Sequence, residues 1–117
     1  ENLEVPISIG VLEDVETEKE KYDVITMTEV VEHLPYPKKT LAHIKGLLKQ
    51  EGILVIQTGN IKSPKAKLKG KKWDYFTLPG HISYFSIESL TMFSGKLGLL
   101  PVIFFSSWIY PISPSAK

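Results

Sequence analysis

Glu29-Val30-Val31-Glu32-His33 concentrates side chains able to do chemistry, with two carboxylates three residues apart and an imidazole directly after the second. On one turn of chain these groups would crowd together. Imidazole exchanges a proton near neutral pH, so His33 can serve as a general base beside Glu32. The competing reading of His33 is structural, with its ring bonded to backbone. His43, next to Ala42 in a helical stretch, reads as a surface or interfacial histidine. A second concentration lies in residues 62–72, which hold six lysines and lead into Trp73, Tyr75 and Phe76. Cations beside stacking rings are how single-stranded nucleic acid is held without sequence preference. The same pattern describes a solvated helix leading into a lid, and a net charge of +1 favours the lid.

These groups need elements to position them. Tyr22-Asp23-Val24-Ile25-Thr26-Met27-Thr28 is a β-branched, apolar run, the signature of a buried strand that ends just before Glu29. From Pro37 onward Leu41, Ile44, Leu47 and Leu48 recur at helical spacing, which predicts a helix over 37–50 with Gly46 as its weak point and Gly52 past its end. Residues 52–58 form a second near-continuous apolar run, the pattern of a parallel strand covered on both faces. Strand, helix and strand make a βαβ unit, whose ligands bind beyond the carboxyl ends of the strands. That puts residues 28–33 and 58–60 at the functional rim. Ser63-Pro64 opens a short lysine-rich helix that Gly70 can end, and an aromatic loop over 73–85 contains the turn signal Pro79-Gly80. Ser86 starts a helix carrying Leu90, Phe93 and Leu97 up to Gly98, residues 99–108 read as a further strand, and 111–117 as a frayed end.

Composition narrows the function. A chain of 117 residues, 43% hydrophobic and 23% charged, suits one small globular domain whose core has little to spare. Cysteine is absent, which excludes disulfides and thiolate sites, leaves oxygen and imidazole as metal ligands, and fits a reducing compartment. All fourteen cations are lysine, so the bidentate guanidinium that reads guanine or clamps phosphate is missing. The longest apolar run, over 99–105, is too short to cross a bilayer and contains Pro101, and no signal peptide opens the chain, so a cytoplasmic location without membrane is expected.

Three ordered segments carry a family resemblance. Tyr22-Asp23-Val24-Ile25 with Glu29-Val30-Val31-Glu32-His33-Leu34-Pro35-Tyr36-Pro37 is similar to the fourth strand and following turn of class I S-adenosylmethionine-dependent methyltransferases. Leu47-Leu48-Lys49-Gln50-Glu51-Gly52-Ile53-Leu54-Val55-Ile56 resembles their fifth strand, with Glu51 where glycine is usual. Trp73, Pro79, His81, Tyr84, Phe85, Ser86, Glu88, Ser89 and Leu90 follow the order of a third segment. The resemblance implies an α/β fold, a three-layer αβα Rossmann-like sheet that is incomplete here because its first strands are missing. Residues 1–117 would then be the C-terminal part of a methyltransferase domain, with 62–85 as a substrate lid in which Trp73, Tyr75, Phe76, Tyr84 and Phe85 exclude water. Residues 1–15 would supply the third strand and its loop. The glycine-rich loop that grips the cofactor in the family does not occur in this sequence, so the chain alone is expected to be inactive.

For the site, the resemblance implies S-adenosyl-L-methionine contacts at Val11, Leu12 and Glu13 in the loop after the third strand, and at Thr28 and Glu29 after the fourth. The E-x-x-E-H spacing resembles ubiquinone-pathway O-methyltransferases and, with histidine in place of Glu32, small-RNA 2′-O-methyltransferases. These branches use such residues for a divalent metal, which here would fall to Glu29, Glu32, His33 and His81, magnesium being one candidate. The acceptor class implied is a small molecule rather than nucleic acid. An unpaired edge on the strand 22–28 would favour a homodimer. The alternative is a non-catalytic interaction module that presents its lysine-aromatic face or that open edge to a partner.

Overall fold

The computed structural model describes residues 4–14, 18–77 and 79–100. Branched residues suited to a pleated, half-buried surface form β1 (Tyr22–Thr28) and much of β2 (Leu48–Gln57). The strands are parallel, from Val24 opposite Ile53 to Thr28 opposite Gln57, so both carboxyl ends open on one rim. Helix α1 (Pro37–Leu47) connects them, giving the expected βαβ order.

Helical spacing predicts α1 to run to residue 50, but it ends at Leu47, and β2 begins at once instead of at residue 52. Backbone bonding explains the early stop: Glu20 N–H donates to the Gly46 carbonyl and Lys21 N–H to the Leu47 carbonyl, which ties the helix end to the chain entering β1. Pairing then jumps from Tyr22–Leu48 to Val24–Ile53, a bulge that absorbs the extra residues of β2. Gly52 sits in it, where a Cβ would meet the Lys49 carbonyl oxygen at 2.9 Å.

Pro37 stands in the first turn of α1, and the helix buries Thr40, Leu41, Ile44 and Leu47 on one stripe. Leu41 and Ile44 meet Met27, Val31, Leu48 and Phe85, and Leu90, Phe93 and Leu97 close the cluster from α3 (Ile87–Lys96) and its end. Helix α3 opens with a capping box in which the Ser86 hydroxyl accepts from Ser89 N–H and the Ser89 hydroxyl accepts from Ser86 N–H. Helix α2 (Pro64–Lys69) opens on Ser63, which accepts from Ala66 N–H, and stops at Gly70.

Ile25, Met27, Leu54 and Ile56 face this core. On the opposite face Val24, Ile53 and Val55 remain 53%, 57% and 47% exposed. The apolar run of β2 implies cover on both faces; among the described residues the helices supply one. The molecule is an α/β layer with a partial parallel sheet of two described strands. Residues 4–9, expected within a third strand, form none, and Val5, Ile7 and Ile9 lie exposed. A strand needs a paired neighbour, and among the described residues no strand lies beside 4–9. The following turn, Leu12–Asp14, is anchored, with Leu12 on the core and the Glu13 carboxylate accepting from the Thr40 hydroxyl of α1. Most of the strand expected over 99–108, and the frayed end over 111–117, lie outside the described residues.

Candidate functional site

The end of β1 turns sharply. Glu29 adopts φ 53°, a left-handed conformation uncommon outside glycine, while its N–H still donates to the Gln57 carbonyl of β2. One tight turn, Val31–His33, follows at the rim. Val31 plugs the core and has no exposed surface. Its position draws Glu32 inward as well, and that carboxylate is 0% exposed.

A buried carboxylate must find donors or counter-charge. Oε2 accepts from the Thr58 hydroxyl at 2.8 Å, just past the end of β2. Oε1 is buried with no hydrogen-bond partner and lies 3.9 Å from His33 Nε2. Burial pushes the Glu32 carboxyl up, but the nearby Tyr75 hydroxyl, its own backbone and the Thr58 hydroxyl more than offset it, and the net direction is down. Glu29 moves the other way. Partial desolvation raises its carboxyl, Tyr75 pulls it down, and the neighbouring Glu32 adds to the rise.

Both histidines are oriented by backbone. His33 Nδ1 lies 2.6 Å from the Gly80 carbonyl and His81 Nδ1 lies 2.6 Å from the Tyr75 carbonyl. A carbonyl only accepts, so each Nδ1 carries a proton, and in the neutral ring it is Nε2 that holds the lone pair. The rings meet edge to face at 4.6 Å between centroids. Ile82 N–H and Ser83 N–H both donate to the Glu32 carbonyl, which fastens the segment bearing His81 to the turn bearing Glu32 and His33.

The structure thus brings together Glu32, His33 and His81, one ligand atom from each lying within 4.8 Å of the others. Glu29 stands outside that group. The donor set of one carboxylate and two imidazoles with Nδ1 bonded to carbonyls suits a divalent cation, and the unpartnered Oε1 is an atom such an ion would satisfy. Two ligands of one ion at about 2.1 Å each can be at most about 4.2 Å apart, so ligand atoms spread over 4.8 Å would have to draw together by more than about half an ångström.

Thr28 is exposed at the end of β1, and Val11, Leu12 and Glu13 lie on the turn docked against α1. The Glu13 carboxylate is already engaged by Thr40. Of the lid aromatics, Trp73 and Phe85 are core residues, while Tyr75 and Tyr84 are half-buried and Phe76 is exposed. His43 is half-buried on α1, with Nε2 enclosed and unpartnered. The hydroxyl roles of Thr58 and Tyr75 are the main addition to the residues read from sequence. The rim position of Thr58 signals it, whereas nothing in the sequence brings Tyr75 to it.

Comparison with known proteins bears on the fold and the family. A ubiquinone biosynthesis O-methyltransferase of Glaesserella parasuis serovar 5 is 48% identical over 44 residues, 38% of this chain and 19% of that protein. One of Haemophilus ducreyi is 44% identical over 41 residues, 35% of this chain and 17% of its own length. The chain therefore matches roughly a fifth of these relatives. A solved S-adenosylmethionine-dependent methyltransferase of Thermotoga maritima, described as a possible histamine N-methyltransferase, superposes with a TM-score of 0.64 at 22% identity. The superposition covers 76% of this chain and 43% of that one, and it shows the fold. A family model described as a methyltransferase domain matches residues 5–99, the whole of the described βαβ unit and both later helices, and the chain belongs to that family.

Proposed function

We propose that the protein is an S-adenosylmethionine-dependent methyltransferase that methylates a hydroxyl of a small molecule, with Glu32, His33 and His81 holding a divalent cation such as magnesium beside that hydroxyl. Family membership supports the reaction class, and relatives named for O-methyl transfer support an oxygen acceptor. The observation that carries the metal is the buried Glu32 Oε1, without a partner and beside the His33 and His81 rings. When bound, the cation lowers the pKa of a coordinated hydroxyl, and S-adenosyl-L-methionine supplies the methyl group.

The chain's own residues orient and enclose. Backbone at Thr28 and Glu29 would line the cofactor's amino-acid end, and the turn of Val11, Leu12 and Glu13 its other end. Glu29 faces the metal cluster as an outer carboxylate. Residues 62–85 act as the lid, with Tyr75, Phe76 and Tyr84 excluding water. Holding the partners together supplies much of the acceleration. A second reading uses the same geometry without metal: His33, whose Nδ1–H is held by Gly80 so that Nε2 is the basic nitrogen of the neutral ring, is the general base. A cytoplasmic location accompanies both readings and is supported by the cysteine-free composition. No helix among the described residues is long and apolar enough to cross a membrane.

The test is methyl transfer by the full-length protein to phenols, catechols and matched amines, with chelator and then with added magnesium. Hydroxyl methylation lost to chelator and restored by magnesium supports the metal reading. Chelator-insensitive turnover that His33→Ala abolishes supports the base instead. Methylation confined to the amines overturns the acceptor class.

A further inference from the structure

The hydroxyl of Tyr75 reaches back to the end of β2. Its Oη receives Gly59 N–H at 2.8 Å and lies 2.9 Å from Thr58 Oγ1, which donates to Glu32 Oε2 at 2.8 Å. Proton counting fixes the direction of each link. Thr58 has one proton, which it donates to Glu32 Oε2. Tyr75 must then donate to Thr58 while accepting from Gly59.

The same residue grips His81. Its carbonyl accepts His81 Nδ1–H at 2.6 Å, and the two rings lie 4.2 Å apart. Trp73, buried in the core, stacks on the Tyr75 ring at 5.0 Å and 28° and so fixes the ring plane. Gly59 makes the approach feasible, since a Cβ there would stand 2.5 Å from the ring.

We infer that Tyr75 is a positioning residue of the Glu32–His33–His81 site. Its hydroxyl acts through Thr58 to turn Glu32 Oε2 toward β2 and leave Oε1 facing the imidazoles, while its carbonyl sets His81 in the tautomer whose Nε2 is free. The inference rests on the metal reading for its functional meaning, and its test separates the two.

Manganese affinity of the full-length protein is measured by electron paramagnetic resonance for wild type, Tyr75→Phe, Thr58→Val and the double variant, and the metal-free Tyr75→Phe and Thr58→Val crystal structures are determined. Each single change is expected to weaken manganese about tenfold or more. The double variant should lose little beyond either single change, because both cut one relay; independent structural damage would add. Wild-type affinity in both single variants, or additive losses, overturns the inference with the metal reading intact. If the wild type binds no manganese, the metal reading falls and the crystal structures decide. A Glu32 carboxylate turned out of place in Tyr75→Phe supports positioning, and one left in place overturns it. If Tyr75→Phe does not fold, Thr58→Val carries the test, because it leaves the aromatic stack untouched.

Discussion

Glu32 combines two requirements that usually conflict, full burial and a negative charge. Thr58 and the backbone reconcile them on one side, while Oε1 stays open on the other. Glu32→Gln tests this division. The amide retains the shape and one acceptor, and its nitrogen can donate to the lone pair of His33 Nε2, so the metal-free melting temperature should move by less than about 3 °C, within roughly 1 kcal/mol. Manganese affinity should fall at least about tenfold, because the ligand charge is gone. Calorimetric melting in chelator and a manganese titration check the two halves. Acid sensitivity is shared with other carboxylates. The Thr40 hydrogen bond holds Glu13 below the ordinary carboxylate range, and its own backbone and Ser86 hold Glu88 there. With folded values depressed, their contribution is present above the unfolded carboxylate pKa and is lost as pH falls through the folded one. The urea midpoint should therefore decline below about pH 4.5, and less steeply in Glu13→Gln.

At the scale of elements, α1 and the end of β2 carry the strain of positioning. Ile44 is fully buried where α1 meets the sheet, and Ile44→Ala should cost about 2–5 kcal/mol in urea unfolding. Gly59→Ala is a different kind of lesion. The new methyl collides with the Tyr75 ring, which is pinned by Trp73, so the lid segment must back away at about 1–3 kcal/mol. Manganese affinity should fall with it, whereas Gly46→Ala, where a Cβ meets nothing within 4 Å, should leave affinity unchanged and firm the helix. Equal affinity in Gly59→Ala and wild type would disconnect the lid from the site.

At the scale of the molecule, the open face of the sheet is the largest unmet demand. Val24, Ile53 and Val55 form an apolar row on strands that in parallel sheets are covered on both sides. The outer edge of β1 likewise has no strand beside it among the described residues. The 117 residues by themselves should self-associate with concentration, and Val24→Lys with Val55→Lys should return them to monomers in light scattering. They should also bind S-adenosyl-L-methionine weakly, since the sequence holds no glycine-rich loop of the kind the resemblance implies for seating it; micromolar affinity in calorimetry would overturn that expectation.

Sequence alone determined the βαβ order, the rim at residues 28–33 and 58–60, the capped helices and the crowding of Glu32 with His33. Each follows from local causes: side-chain period, β-branching, capping residues and adjacency in the chain. It misplaced the junction of α1 and β2, because hydrogen bonds from Glu20 and Lys21 end the helix and those partners are remote in sequence. The resemblance gave residues 1–15 a third strand and its loop, because a likeness of segments cannot report whether a neighbour exists to pair with. Tertiary structure decided that Glu29 stands aside while His81 joins Glu32 and His33, and that Tyr75 directs Glu32 through Thr58. These contacts cross separations of 17 to 49 residues, and their existence depends on where packing places each backbone, which no local pattern encodes.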